Sequence, residues 1–417
     1  MKILLVNKFF YRKGGSETYY FALGDALEEQ GHEVIWFSMS HPDNLECGQA
    51  GYFVENVDYH KQSTLLSKLK NAKSAVYSKE AYSRFEQLLL AERPDIVHIN
   101  NVHKQITLSI LDVCKKYNLP VAATCHDWIY ICPNYLKLHD EEICELCQSG
   151  EFWNSFKTGC VQNSKLKSLL ASFEASFYRR HGSYNLIDLY IAPSKCMTEK
   201  MRDARFTDSE IIHMCNFLPT LEVATPPPAN PPYFVYMGRL IGEKGVGTLV
   251  RAYIKAQLES DLYILGDGPL RNELEETAQQ LGAGGRIHFT GTVHGDELAR
   301  IVGGSRAVVV PSEWLENCPY SVMEALAAGK PVIGSRVGGI PELVSDGETG
   351  FCYEMKNVDA LAEAMLRMES LSDDEYSRMS ARAREQAQSR FSRNTYGSEL
   401  IRRYEELLVK KGAPLWD

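Results

Sequence analysis

Short apolar runs and helical repeats alternate along the chain. The first run, residues 2–7, precedes a glycine-containing loop and a stretch, residues 16–30, in which apolar residues recur at helical spacing. The same pattern predicts buried strands at 34–38, 95–100, 121–124 and 189–192. Strands that alternate with helices predict a parallel sheet covered by helices on both faces.

A proline-rich stretch, residues 218–232, separates this alternation from a second one, because so many prolines prevent both helix and strand pairing. After it, strands are predicted at 233–237, 262–265, 287–290, 307–310 and 332–334, and helices at 245–257, 270–281, 296–302 and 320–328. We therefore predict two doubly wound, Rossmann-like α/β domains, residues 1–217 and 233–394, facing a cleft. An amphipathic helix within 395–417 is predicted to return to the first domain.

Composition narrows the class of protein. A length of 417 residues suits two domains, and a formal charge of -9 disfavours a general nucleic-acid binder. No stretch approaches the roughly 20 apolar residues that a membrane span requires, so we expect a cytoplasmic protein. Eleven cysteines are too few and too irregular for a secreted disulfide scaffold.

The stretch 309–331, VVPSEWLENCPYSVMEALAAGKP, places two carboxylates around a predicted helix start. Glu316 precedes Pro319, and Glu324 falls within the helix that the proline begins. The amides of a helix N-terminus can hold a diphosphate while a nearby carboxylate binds sugar hydroxyls. The alternative is one acid that favours the helix dipole and one solvated glutamate, and the stretch alone leaves both open.

Residues 238–245, GRLIGEKG, directly follow a predicted strand. Arg239 supplies a forked donor and Lys244 a point charge, and together they can neutralise a diphosphate leaving group. The alternative is a surface loop that happens to be basic. We expect Lys244→Ala to remove most turnover and to leave the fold intact, because the lysine is predicted to be exposed.

These two segments, with LGDGPL at 265–270 and FTGTV at 289–293, resemble glycosyltransferase family 4 in their order along the chain. The first domain adds Gly14-Gly15 and His126-Asp127, each after a predicted strand, as in that family. The resemblance implies a GT-B fold and a retaining, hexosyl-type transfer from a nucleotide diphosphate sugar, as in polysaccharide and cell-envelope biosynthesis. The acceptor is left open among a glycan, a lipid-linked sugar and a small molecule.

The resemblance also assigns roles to single residues. It implies that Arg239 and Lys244 bind the donor phosphates, that Glu316 contacts hydroxyls of the transferred sugar and that Glu324 holds the ribose. It further implies that Gly14 and Gly15 approach the diphosphate, that backbone atoms near Gly291 and Val293 read the base, and that His126 lies near the acceptor. Cys318-Pro319 departs from the Phe-Gly pair common in the family, and the amides of Tyr320 and Ser321 can compensate for the missing N–H.

Leaving-group stabilisation by cations and helix amides is then the main catalytic contribution, and we expect no metal in the transfer step. Three rival functions stay open. A nicotinamide-dependent oxidoreductase has a poor fingerprint, because Arg271 stands where the third glycine should be. A sugar-nucleotide isomerase would share the fold, and a binding protein would have lost turnover.

Four cysteines, Cys132, Cys144, Cys147 and Cys160, follow a C-x11-C-x2-C-x12-C pattern. The central pair has the spacing of structural zinc sites, so the insertion at 132–160 is a candidate zinc loop. An iron-sulfur cluster and ordinary reduced cysteines are the alternatives.

Two segments of the chain are strongly basic. Residues 61–84 carry Lys61, Lys68, Lys70, Lys73, Lys79 and Arg84 against a single Glu80, and residues 165–180 carry basic residues around Leu169, Leu170 and Phe173. Such helices can hold an enzyme on anionic lipid, where a lipid-linked acceptor would be found. The alternative is that both are solvated faces of helices packed on the core.

Overall fold

The computed structural model describes residues 1–56, 74–221, 232–412 and 414–416. The chain divides into two compact units. The first consists of Met1–His139, Cys144–Pro219 and Arg393–Asp417, and the second of Asp140–Ile143 and Thr220–Ser392. Most of the predicted linker and the basic residues Lys61, Lys68, Lys70 and Lys73 lie outside the described residues.

The first unit contains a six-stranded parallel sheet in the order β2-β1-β3-β4-β7-β8. Its strands are β1 (Lys2–Val6), β2 (Glu33–Phe37), β3 (Ile96–Ile99), β4 (Val121–Thr124), β7 (Leu189–Ala192) and β8 (Glu210–His213). A short hairpin of β5 (Leu138–His139) and β6 (Glu142–Ile143) interrupts the sequence between β4 and β7. The helices are α1 (Gly15–Glu29), α2 (Lys79–Glu92), α3 (Ser109–Lys116), α4 (Trp153–Thr158), α5 (Lys165–His181) and α6 (Lys195–Asp203).

The second unit contains another six-stranded parallel sheet, ordered β11-β10-β9-β12-β13-β14. Its strands are β9 (Tyr233–Met237), β10 (Asp261–Leu265), β11 (Ile287–Gly291), β12 (Ala307–Val310), β13 (Val332–Ser335) and β14 (Gly350–Tyr353). The helices are α7 (Val246–Ala256), α8 (Arg271–Gln280), α9 (Gly295–Gly304), α10 (Tyr320–Ala327), α11 (Ile340–Leu343), α12 (Val358–Ser370) and α13 (Asp373–Arg390). The two sheets confirm the predicted doubly wound architecture.

The strand order of the second unit indicates where a ligand is expected to bind. The chain leaves β9 for β10 on one side and later returns to β12 on the other side. The strand order therefore reverses between β9 and β12, and the carboxyl edge of the sheet at such a reversal is the usual ligand site in these folds. All four residues of β12 are buried, as expected for a central parallel strand covered on both faces.

The last helix, α14 (Arg393–Lys411), belongs to the first unit. It buries Tyr396, Leu400, Tyr404 and Leu407. The Tyr396 hydroxyl is 2.7 Å from that of Tyr19 in α1, and the Tyr404 hydroxyl is 2.5 Å from Nδ1 of His98 in β3. The helix thus completes the buried polar network of the first sheet.

Two further features concern membrane contact. No helix in the described part of the chain is both long and apolar enough to cross a bilayer. Helix α5 buries Ala171, Ala175 and Tyr178. Leu166 and Phe173 are 77% and 60% exposed.

Candidate functional site

The loops after β9 and β12 meet at the carboxyl edge of the second sheet. The backbone N–H of Glu313 donates to the carbonyl oxygen of Glu243 at 2.8 Å, which ties the two loops together. Gly245 has a φ of +67°, and a Cβ atom there would lie 2.0 Å from the carbonyl oxygen of Pro311. Only glycine allows this approach, and it brings Lys244 beside the 312–316 loop.

Lys244 and Glu316 form a charged pair in this opening. The lysine Nζ lies 2.5 Å from Oε1 of Glu316, and the Ser312 hydroxyl donates to the same oxygen at 2.8 Å. Burial alone would raise the pKa of Glu316, but the Lys244 ammonium and these hydrogen bonds outweigh it and hold the pKa below its ordinary value. Glu316 is therefore an ionised carboxylate with fixed partners.

The expectation that Lys244 is exposed is wrong. Its side chain is 20% exposed and that of Glu316 is 7% exposed, because the 238–245 loop folds down onto the 312–316 loop. The Lys244 ammonium also lies 5.4 Å from the centre of the Trp314 ring. Loss of this lysine would leave a buried carboxylate without its counter-ion.

Two glycines that were not predicted as site residues, Gly338 and Gly339, contact the backbone of Glu316. Gly338 has a φ of +57°, and a Cβ atom there would lie 2.2 Å from the carbonyl oxygen of Glu316. The N–H of Gly339 donates to that same oxygen at 2.7 Å. Paired glycines two residues beyond a buried strand, here β13, were the available signal for such a close backbone approach.

Helix α10 brings its amino end to the same edge. Pro319 is the N-cap residue, and no side chain caps the helix. The amides of Val322 and Met323 both donate to the Pro319 carbonyl oxygen, at 3.1 and 3.4 Å. Tyr320 and Ser321 begin the helix, so their amides stand at its positive end. Glu324 lies on the exposed side of the same helix.

The remaining predicted donor residues lie on neighbouring loops. Arg239 is exposed in the loop that also carries Lys244. Gly291 ends the edge strand β11, and its carbonyl oxygen accepts a hydrogen bond from the N–H of Gly266 at 2.8 Å. Val293 follows in the next loop and is half-buried. Arg239, Lys244, Glu316 and the start of α10 thus come from the two loops at the strand-order reversal, whereas Gly291 and Val293 lie two strands away.

In the first unit, His126 follows β4 and is half-buried. Its Nε2 is 2.8 Å from Oδ1 of Asn100, which follows β3, and its ring meets that of Tyr19 edge-on at 5.0 Å. Burial lowers the pKa of His126, so the ring is neutral at physiological pH. Gly14 caps α1, and a Cβ atom there would meet only Glu17 at 3.8 Å.

A cavity of about 210 Å³ lies in the first unit next to Asp127. Its wall contains two lysines, Lys8 and Lys104, together with His103 and the polar side chains of Asn101, Tyr135 and Gln162. Burial raises the pKa of Asp127, although the charges of Lys8 and Lys104 oppose this effect. The cavity therefore combines hydrogen-bonding groups with an excess of positive charge.

The four cysteines of the insertion come together. Cys132, Cys144, Cys147 and Cys160 line one small cavity, and each is a free thiol. In the part of the chain that the structure describes, no three His, Cys, Asp or Glu side chains are closed into a metal-coordinating arrangement. The thiols are neighbours, and they have not converged on a common point.

Comparison with known proteins gives two family matches that together span most of the chain. Residues 13–220 match the model described as Glycosyltransferase Family 4, and residues 219–386 match Glycosyl transferases group 1. An uncharacterized 42.6 kDa protein in the cps region of Klebsiella pneumoniae is 26% identical, over 82% of this chain and 87% of its own. The N-acetyl-alpha-D-glucosaminyl L-malate synthase of Bacillus anthracis is 24% identical, over 94% and 93%.

Solved structures agree on the fold. Sucrose-phosphate synthase from Thermosynechococcus elongatus superposes with a TM-score of 0.72 at 19% identity, over 98% of this chain and 99% of its own. Anabaena HepE in complex with UDP gives 0.68 at 14% identity, over 97% and 100%. The isomerase and oxidoreductase alternatives receive no support from either family match. The chain belongs to glycosyltransferase family 4, and it is a GT-B glycosyltransferase that uses nucleotide sugars.

Proposed function

We propose that this chain is a retaining glycosyltransferase of the hexosyl type whose nucleotide diphosphate sugar binds at the carboxyl edge of the second sheet. The observation that carries the proposal is the buried pair of Lys244 and Glu316 beside the amino end of α10. A cation, a carboxylate and a helix N-terminus in one opening suit a ligand that has both phosphates and hydroxyls.

Lys244 would change partners when the donor binds. Without donor, its ammonium neutralises Glu316. A diphosphate held at the amides of Tyr320 and Ser321 offers a second anion, and Lys244 would turn toward it. Glu316, still bonded to Ser312, would then accept hydrogen bonds from hydroxyls of the sugar. Glu324, exposed on α10, is our candidate for the ribose hydroxyls.

Catalysis in this proposal consists of stabilising the departing nucleotide diphosphate. Arg239, Lys244 and the α10 amides take up the negative charge that forms as the glycosyl bond to phosphate breaks. The acceptor hydroxyl then enters on the face from which the nucleotide leaves, so the anomeric configuration is retained. We propose no metal for this step, because these groups supply the positive charge that it needs.

The acceptor is proposed to occupy the cavity of the first unit, with its anionic group on Lys8 and Lys104 and its hydroxyl toward His126. The charge of the cavity wall supports an acceptor with a carboxylate or phosphate. The name of one relative, N-acetyl-alpha-D-glucosaminyl L-malate synthase, contains L-malate, which is a dicarboxylate. Transfer to L-malate compared with its neutral diamide tests this preference, and equal rates with both would contradict it.

Contact with anionic membrane is proposed through α5. Leu166 and Phe173 are exposed on this helix, and Lys165 and Lys167 are exposed beside them. Apolar side chains next to lysines suit a lipid surface with anionic headgroups. Leu166→Ser with Phe173→Ser should abolish sedimentation with anionic vesicles at low salt. If the unchanged protein does not sediment with these vesicles, the membrane proposal fails.

The donor proposal is tested with a panel of UDP, GDP and ADP sugars. A thermal-shift screen selects the donor, and NMR of the product gives its anomeric configuration. We expect retention, full activity in EDTA and a loss of about 100-fold or more in Arg239→Ala. Lys255→Ala, an exposed lysine on α7, is the matched control and should be unchanged. An inverted product, or activity that returns only with a divalent cation, would overturn the mechanism.

A further inference from the structure

The cysteine-rich insertion gathers four thiols that the glycosyl transfer does not use. Cys132, Cys144, Cys147 and Cys160 come from three places in the insertion, and all four line one cavity of about 10 Å³. That volume is about the room of a single water-sized sphere. We propose that these four cysteines hold one structural Zn²⁺ as a tetrathiolate.

The insertion has little else to hold it together. Its separate apolar cluster consists of Cys147 and Phe152 against Ala175 of α5. Its only sheet among the described residues is the hairpin of β5 and β6, in which each strand has two residues. A segment with so small a core needs a cross-link for its stability. A metal ion bound by four thiolates supplies such a cross-link.

A polar side chain lies beside one of the sulfurs. The Ser155 hydroxyl is 3.2 Å from the Cys160 sulfur. A hydroxyl at this distance can donate to a metal-bound sulfur and orient it.

A buried lysine supplies charge of the opposite sign. Lys137 is 1% exposed, lines the same cavity and donates to Gln148 at 2.5 Å. Its nearest acid, Glu145, lies 3.7 Å away and is shared with Lys200. Four thiolates around Zn²⁺ carry a net charge of about -2. This anionic zinc tetrathiolate and the buried ammonium of Lys137 would therefore stabilise each other.

The volume and the spacing favour zinc over the alternatives. The space suits a single ion, whereas an iron-sulfur cluster brings its own sulfides. The pair Cys144 and Cys147 has the C-x2-C spacing of zinc knuckles. The sulfurs are not yet closed into a coordinating arrangement, and the proposal requires them to rotate inward when the metal binds.

The test is metal analysis of the full chain, purified without chelator. We expect about one zinc per chain in the unchanged protein and in Cys47→Ser, a cysteine outside the cluster, and a loss of zinc in Cys144→Ser with Cys147→Ser. If the double variant does not fold, cobalt replaces the variant as the probe. The chelated protein refilled with Co²⁺ should show the intense visible absorption of a tetrahedral tetrathiolate.

Each remaining outcome decides against zinc. Iron with acid-labile sulfide would identify a cluster. Loss of free thiols without metal would identify disulfides. Less than about half an equivalent of any metal in the folded protein, with all four thiols open to titration, would identify ordinary reduced cysteines. Donor binding is measured in parallel, so a failure here is separate from a failure of the proposed transfer reaction.

Discussion

Lys244 links stability to the proposed activity, because its ammonium is the partner of a buried carboxylate. We expect Lys244→Ala to lower the free energy of unfolding at pH 7 by about 2–3 kcal/mol, measured by denaturant titration. Turnover should fall by about 100-fold or more. The pair stabilises the fold above the unfolded pKa of Glu316, and this contribution is lost as the pH falls through the lower folded pKa. The difference between the two proteins should therefore shrink in acid.

The double variant Lys244→Ala with Glu316→Gln separates the two roles. Without a charge on residue 316, most of the lost stability should return, since a neutral amide can keep the hydrogen bond from Ser312. Turnover should stay low, because the phosphate cation is still missing. Equal stability of Lys244→Ala and the unchanged protein at pH 7 would show that the pair contributes little.

A substitution of Gly338 tests whether the close approach of its backbone to Glu316 is required for stability and turnover. Ala at 338 would place a Cβ atom 2.2 Å from the Glu316 carbonyl oxygen, and we expect a loss of about 2–4 kcal/mol together with most turnover. Gly347→Ala is the matched control, because its φ is +79° but nothing lies within 4 Å of the added atom. That variant should lose only about 1–2 kcal/mol. Similar thermal stability and activity of both variants would contradict the argument.

We expect Glu174 to make the stability of the first unit depend on pH. This residue of α5 is 5% exposed, and its Oε1 meets no hydrogen-bond donor within the described ranges. Burial raises its pKa to about 7. A raised folded pKa means that stability is full below the unfolded pKa and declines as the pH rises toward 7. Glu174→Gln should thus be more stable at pH 8 by about 2–3 kcal/mol and no different near pH 4. The same gain at both pH values would exclude titration of Glu174 as its cause.

At the scale of the elements, continuous apolar runs were the reliable signal. Residues 233–237 and 307–310 were predicted as strands, and β9 and β12 have the same bounds. Central parallel strands are buried on both faces, so their sequence contains little else. The strand β8 (Glu210–His213) was missed, because it has a buried stretch of only two residues and lies at the sheet edge.

Helix α5 shows what the sequence of one helix leaves open. The sequence allowed this basic helix either to lie on anionic lipid or to be the solvated face of a helix packed on the core. In the structure Ala171, Ala175 and Tyr178 are buried, whereas Phe173 is 60% exposed. Which face has room depends on the tertiary structure, and a single helix sequence does not contain that information.

For the whole molecule, the sequence could predict which loops carry the residues of the proposed donor site but not which of those residues pair. Arg239, Lys244 and Glu316 follow strands β9 and β12, which are neighbours in the sheet. Parallel strands bring these loops to one edge, so their proximity could be predicted. The partnership of Lys244 with Glu316 depends on the close backbone approaches at Gly245 and at Gly338, which lies after β13. Such contacts arise only when three separate segments pack.

The return of α14 to the first unit makes that unit depend on the end of the chain. A protein truncated after Ser392 loses four buried side chains, Tyr396, Leu400, Tyr404 and Leu407. At about 2 kcal/mol for each, the loss is about 8 kcal/mol and equals the stability of a typical domain. Calorimetry of the truncated protein should therefore lack the transition of the first unit.

The second unit should survive this truncation, because its core cluster contains no residue of α14. Its transition should remain, and the donor nucleotide should still raise its midpoint, since the proposed phosphate groups all belong to this unit. Tyr404→Phe is the mild counterpart, and the loss of the hydrogen bond to His98 should cost about 1 kcal/mol. If the truncated protein keeps both transitions, α14 is not needed for folding, and its buried tyrosines contribute far less than their burial implies.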